Sequence, residues 1–171
     1  MKISREWCMP NKNTFDMKPA RSFIYKHIIL GEFWIDPFAR DSDIATVTND
    51  LNPDTNADHH FDALHFLKMQ QSNSVDGVLF DPPYSLTQLK ECYNNIGRAL
   101  TQDDSQYYFS NIRNEIARVL KPGGKCISFG WSSGGIGKSR GMVIKEIKLL
   151  AHGGNHHDTI ITMEEKQWNK E

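Results

Sequence analysis

The sequence is short of the residues that mark specialised proteins. Its 171 residues hold only three cysteines, Cys8, Cys92 and Cys126. They lie too far apart for a disulfide framework or a zinc-binding pair, which points to a reducing compartment. No apolar run approaches the ~20 residues that a membrane helix needs. The N-terminal stretch MKISREWCMPNKN has no apolar core of the secretory-signal kind. A cytoplasmic protein with no membrane partner is therefore expected. An excess of one charge sign is also missing, since 20 Lys and Arg face 21 Asp and Glu for a formal net charge of −1. The molecule as a whole is not a basic polyanion binder. With 12 glycines and 7 prolines it is not a disordered or collagenous chain either.

What is present suits one folded domain, expected to span residues 1–171. Hydrophobic residues make up 39% and aromatics 11%, enough to bury a core at this length. The charges are divided along the chain. Residues 1–31 carry six basic and two acidic side chains, residues 36–104 carry twelve acidic and four basic, and residues 121–148 carry six basic and one acidic. An acidic middle between basic ends lets a near-neutral protein present a basic face; solvated helix faces and loop ends would give the same pattern.

Apolar spacing predicts the elements. Residues 20–30 repeat at helical intervals, start just after Pro19 and stop at Gly31. EFWIDPF (32–38) reads as a strand ended by Asp-Pro, IATVTND (44–50) as a second strand, and FDALHFLKM (61–69) as one or two helical turns. VDGVLF (75–80) is a third strand, stopped by two prolines. Residues 85–104 are polar and read as a mobile loop. Tyr108, Phe109, Ile112, Ile116, Val119 and Leu120 define the clearest helix, over 105–120. KCISFG (125–130) is a fourth strand, followed by a Gly/Ser loop over 131–141. Residues 143–151 and 158–163 form a hairpin with glycines near its tip. Strands alternating with helices, then a closing hairpin, predict an α/β three-layer sheet.

The motif that carries chemistry is Asp81-Pro82-Pro83-Tyr84. A strand delivers a carboxylate at its carboxyl end, where open α/β sheets bind ligands. Two prolines remove two N–H donors and stiffen the backbone, leaving carbonyls as unopposed acceptors. A tyrosine follows. Carboxylate and carbonyl can accept the two N–H bonds of an exocyclic amine while an aromatic face stacks on its ring.

This motif resembles the catalytic signature of S-adenosylmethionine-dependent amino-methyltransferases, in the Asp form typical of adenine-N6 DNA methyltransferases. Met17-Lys18-Pro19-Ala20 and Trp34-Ile35-Asp36-Pro37-Phe38-Ala39 resemble the family's Lys-Pro segment leading into Asp-Pro-Phe. The order matches a permuted, compact, phage-like branch without a target-recognition domain. The resemblance covers roughly residues 15–166. It implies a three-layer Rossmann-like class I methyltransferase sheet closed by an antiparallel hairpin. It implies Asp81, Pro82, Pro83 and Tyr84 as catalytic residues. It implies S-adenosylmethionine, leaving as S-adenosylhomocysteine, held by Phe15, Met17, Lys18, Asp36, Pro37, Phe38, Arg40, Asp50, Leu51, Asp62 and Ala63. Asp50 would bind the ribose hydroxyls and Asp62 the adenine amino group. The implied reaction is methylation of adenine N6 in DNA, in a bacterial or phage-infected cell; the alternatives are the same chemistry on RNA, or a nucleic-acid-binding module that has lost catalysis.

Two departures from the family pattern are informative. Ala39-Arg40-Asp41-Ser42 stands where the family has glycines after Asp-Pro-Phe. Arg40 either pairs with the cofactor carboxylate or bridges Asp41 or Asp43 on the surface. Asp36 and Asp50 are also too close in sequence for a full crossover helix, so that helix is expected to be missing or cut to one turn. Ser132-Ser133-Gly134-Gly135-Ile136-Gly137-Lys138-Ser139 nearly spells a phosphate-binding loop, but lies too late in the chain for a nucleotide-binding sheet to follow. It reads instead as a flexible loop whose Lys138 and Arg140 touch nucleic-acid phosphates. The histidines lack metal-ligand spacing and read as surface or hairpin-tip residues, with no metal site. Cys126 reads as core. Target choice would fall to the loops 85–104 and 131–141, or to a homodimer or partner subunit.

Overall fold

The computed structural model describes residues 1–100 and 102–168. Thr101 and residues 169–171, within the expected single domain, lie outside the described residues. Seven strands form one sheet: β1 (Lys2–Trp7), β2 (Trp34–Asp36), β3 (Val47–Thr48), β4 (Val75–Phe80), β5 (Leu120–Gly130), β6 (Met142–Ala151) and β7 (Thr159–Lys166). Their spatial order is β1-β6-β7-β5-β4-β2-β3. Only β7 runs against its neighbours β5 and β6; every other pairing is parallel. The helices are α1 (Lys18–His27), α2 (Ala63–Met69), α3 (Leu86–Asn95) and α4 (Gln102–Val119). This is the expected three-layer α/β sheet with a closing hairpin.

Alternation along the strands explains the two cores. Ile35, Val78, Phe80 and Cys126 face α2, α3 and α4 in one buried cluster, which includes Phe66, Leu89, Ile112 and Ile116. Their neighbours Trp34, Leu79, Ile127 and Phe129 point to the opposite face and meet Phe15, Phe23 and Ile24. Central parallel strands covered on both faces are apolar throughout. The tightest fit joins β2 to β4. Trp34 pairs with Gly77, and a Cβ on Gly77 would lie 2.2 Å from the Trp34 ring. The indole is 1% exposed and donates from Nε1 to Glu32 Oε2 at 2.8 Å.

The first crossover is as short as expected, with no helix between β2 and β3. Ala39 N–H donates instead to the Asn49 carbonyl at 2.9 Å, turning the chain straight back. The second strand is shorter than expected, two residues rather than the seven from Ile44 to Asp50, with a parallel bridge from Asn49 to His59 beyond it. Other expectations are corrected. Residues 85–104 are not a continuous loop: Ser85 caps α3 by accepting from Gln88 N–H at 3.2 Å, and Leu89 and Tyr93 are buried one turn apart. The strand β1 was not foreseen; it adds to the edge of β6 with most of its side chains exposed, so it lacks the burial pattern that marks a strand. His152 is 6% exposed, not a tip residue, and joins the Cys8 carbonyl and Thr159 hydroxyl, each at 2.9 Å. Among the described residues no helix is long and apolar enough to cross a membrane.

Replacing Gly77 by Ala should lower stability by about 1–3 kcal/mol through overpacking against Trp34. Urea unfolding followed by Trp fluorescence measures this, and an unchanged midpoint would contradict the contact.

Candidate active site

The parallel strands β2, β3 and β4 end on the same edge of the sheet, and each delivers an acid there. Asp36 closes β2, Asp50 follows β3 and Asp81 follows β4. The three carboxylates feel one another: Asp81 and Asp50 both push the Asp36 carboxyl upward. Burial is the larger cause, and it holds Asp36 well above the usual carboxylate range. Asp36 Oδ1 accepts from Phe38 N–H at 2.9 Å, while Oδ2 is buried without a partner. A buried acceptor left open at a strand end is what a ligand cation would satisfy.

Asp81 is also desolvated, and burial raises its carboxyl. Hydrogen bonds from Thr14 and Tyr84 and the charge of Arg40 pull it back down. The Tyr84 hydroxyl donates to Asp81 Oδ1 at 2.7 Å. Burial and the neighbouring carboxylate push the Tyr84 phenol far above its normal value, so it remains a donor. Gln88 of α3 accepts from Tyr84 N–H at 2.7 Å, so the helix after the motif fixes its backbone. Among the described residues no donor reaches the Pro82 carbonyl. Thr14 comes from the short turn before α1, whose Phe15 ring packs on Phe129 with centroids 5.1 Å apart.

Beside the motif lies a cleft whose walls include Pro82, Pro83, Tyr84, Phe109, Arg113 and Trp131. Tyr84 was expected to stack on a target ring. Its hydroxyl donates to Asp81, and its ring, which lines the cleft, meets Trp131 edge-on with centroids 5.6 Å apart. The freer aromatic face is Trp131, 44% exposed and backed by His157 at 4.6 Å. Sequence reading missed Thr14, Arg113 and Trp131. A tryptophan directly after a core strand and before a glycine loop was a legible signal for the last.

The remaining expected site residues divide. Arg40 has φ 53°, the left-handed conformation that glycine adopts freely. The chain thus keeps a glycine-type turn without the glycine. Arg40 N–H donates to Asp50 Oδ2 at 2.9 Å and its guanidinium to the Lys12 carbonyl at 2.7 Å. Among the described residues it pairs with neither Asp41 nor Asp43. Asp50 Oδ1 accepts from Asn52 N–H at 2.9 Å, so each of its oxygens keeps a lone pair. Pro37 and Phe38 follow Asp36, and Phe38 packs on Phe80 with centroids 5.9 Å apart. Met17 is buried and Lys18 exposed at the start of α1. Leu51 packs against the α2 core, and Ala63 is inside it.

Asp62 is bonded within the fold. One oxygen caps α2 through Leu64 and His65 N–H, and the other accepts from the Tyr93 and Tyr108 hydroxyls. No lone pair is left for a ligand amine. The glycine loop is also different from expectation. Ile136 and Gly137 N–H donate to the buried Glu164 carboxylate at 2.6 and 3.0 Å, so the nest that resembles a phosphate loop holds the protein's own carboxylate. Arg140 donates to Asn114, Ser110 and the Ile136 carbonyl. It fastens the loop to α4. Lys138 is exposed.

No family model and no curated protein matches this chain. Solved structures do match its fold. TrmN from Thermus thermophilus aligns with TM-score 0.52 and 17% identity over 80% of this chain and 44% of its own. A SAM-dependent methyltransferase from Methanosarcina mazei aligns at 0.57 and 10% identity over 86% and 98%. The 1,6-didemethyltoxoflavin-N1-methyltransferase of Burkholderia thailandensis, solved with S-adenosylhomocysteine, aligns at 0.57 and 12% over 88% and 78%. This chain spans less than half the length of the first of these. It has the Rossmann-like class I methyltransferase fold.

Burial of an ionisable Asp36 has a stability signature. A carboxyl whose pKa is raised by folding stabilises the native state below its ordinary value, and that contribution fades as pH rises toward the raised one. Asp36→Asn should therefore gain stability relative to the wild type as pH rises above the ordinary carboxylate range. The difference in urea midpoints isolates Asp36 from the other acids, and a pH-independent difference would reject its burial as an ionisable group.

Proposed function

We propose that the protein is an S-adenosylmethionine-dependent methyltransferase acting on the N6 amino group of adenine in DNA. The observation that carries this reading is the placement of Asp81 and the open Pro82 carbonyl at the end of β4, beside an aromatic-walled cleft and one strand from the unpartnered Asp36. Structural neighbours that are SAM-dependent methyltransferases support the cofactor class.

The residues present fit the cofactor. Asp36 Oδ2 offers an acceptor for the ammonium of a methionine moiety. Asp50 offers open lone pairs for ribose hydroxyls, and the left-handed Arg40 turn lies between them. Phe15, Met17 and Lys18 come from the segment that packs over this edge, since Thr14 beside them reaches Asp81. When bound, S-adenosylmethionine supplies an electrophilic methyl group.

The chain's own residues prepare the acceptor amine. The adenine N6 lone pair is delocalised into the ring and is a weak nucleophile. Asp81 and the Pro82 carbonyl accept its two N–H bonds and favour a pyramidal nitrogen, which localises the lone pair. Tyr84 holds the Asp81 carboxylate in one orientation beforehand, with Thr14 beside it, so little reorganisation is needed as charge develops. Trp131 offers the stacking face, and stacking of this kind contributes ~1–3 kcal/mol per base. A duplex target has to be flipped out of its stack first. Lys138 and other exposed cations would meet phosphates, with a partner subunit or second copy as an additional source of target selection.

Transfer of a labelled methyl group to DNA and RNA oligonucleotides, followed by nucleoside analysis, tests the reading. N6-methyladenine in DNA is expected. Labelled RNA alone would move the assignment to RNA, and no transfer to either would overturn it. Asp81→Ala should reduce transfer by about 10²–10³-fold, the scale seen when a preorganised charge-stabilising group is lost, while cofactor binding persists.

Thr14→Val removes a hydroxyl beside Asp81 that lowers its pKa. The acid limb of kcat/KM should then move to higher pH. An unmoved limb would dissociate Thr14 from the acid.

A further inference from the structure

The acceptor cleft contains a cation that the reaction outlined above does not use. Arg113 extends from α4 into the cleft lined by Pro82, Pro83, Tyr84 and Trp131. Its Nε is buried and has no hydrogen-bond partner. Among the described residues its guanidinium forms no ion pair within 4.0 Å. Glu164 is the nearby acid; it interacts with Arg113 only through its charge, and its oxygens accept from the Ile136 and Gly137 N–H groups. Arg140, the other cation on this side, is bonded to Asn114, Ser110 and the Ile136 carbonyl.

Burying a guanidinium donor without an acceptor is costly. Its planar fork fits oxyanions better than any other group, through paired charge-assisted hydrogen bonds. Burial and the charge of Arg140 press the Arg113 pKa downward, with Glu164 opposing. These effects describe a cation held ready at some cost, not one satisfied by its own fold. We propose that Arg113 is an oxyanion-binding residue of the acceptor cleft, and that the methyl-accepting substrate carries a phosphate or carboxylate that reaches it. This rests on the cleft being the acceptor site. For a nucleic-acid substrate, the oxyanion is the phosphate beside the base whose amine meets Asp81. Arg113 is thus a specificity-determining residue: it selects substrates in which an amine-bearing ring and an oxyanion are joined.

The Nε–H of Arg113 is a direct reporter, assignable in a ¹⁵N-¹H spectrum by its loss in Arg113→Lys. Inorganic phosphate, acetate, deoxyadenosine 5′-monophosphate and deoxyadenosine are titrated at constant ionic strength. A saturable shift with phosphate and the monophosphate is expected, and none with deoxyadenosine. A shift with acetate alone assigns the carboxylate source instead. The monophosphate should bind about ten-fold or more tightly than the nucleoside, the scale of a charge-assisted hydrogen bond. That preference should vanish in Arg113→Met, whose folding is checked by thermal melting. No shift with any anion, or a preference that survives in a folded Arg113→Met, overturns the proposal. Anion binding without methyl transfer to DNA or RNA would overturn the methyltransferase reading and leave Arg113 as an oxyanion site.

Discussion

The contact between Trp34 and Gly77 is the constraint on which the site depends. Strand β2 has only three residues, and its hold on the sheet is correspondingly short. It stays in register with β4 because the Trp34 indole lies flat over a position that has no side chain. That register sets Ile35 opposite Val78, and so fixes where the next residue, Asp36, stands relative to the end of β4. A one-residue slip would send Asp36 to the other face of the sheet. Packing on one face therefore decides the spacing of acids on the carboxyl edge.

The way the polar groups are satisfied separates structure from function. Asp62 and Arg140 look available in a linear reading, yet each is bonded within the fold, as is the buried Glu164. The glycine run at 134–137 serves the same end: a Cβ on Gly135 would lie 2.3 Å from Glu164 Oε2, so only glycine lets the loop close on that carboxylate. What is left over is informative. Asp36 Oδ2 and Arg113 Nε are buried and unpartnered, and Asp36 stands at the end of β2 while Arg113 lines the cleft at the ends of β4 and β5. One is an open acceptor and the other an open donor, on either side of Asp81.

Much of this was legible beforehand. The order of strands and helices, the missing crossover helix and the closing hairpin follow from apolar spacing and from the few residues between Asp36 and Asp50. The errors have physical causes. The helix α3 is polar because it buries only Leu89 and Tyr93, a face too narrow to show as a periodic stripe. The strand β1 is an exposed edge, so its sequence carries no alternation. That the Tyr84 hydroxyl also holds Asp81 cannot be inferred from chain order.

The sequence by itself determined the fold class and the place of Asp81-Pro82-Pro83-Tyr84 at a strand end, because period-2 and period-3.6 patterns and proline's missing donor are local properties. Which charged groups remain free was decided only by the tertiary structure. Whether Asp36, Asp62, Arg113 or Arg140 has a partner depends on groups distant in sequence, as Tyr108 is from Asp62 and Ser110 from Arg140. In a desolvated site, the presence or absence of that partner decides whether a side chain holds the fold together or waits for a ligand.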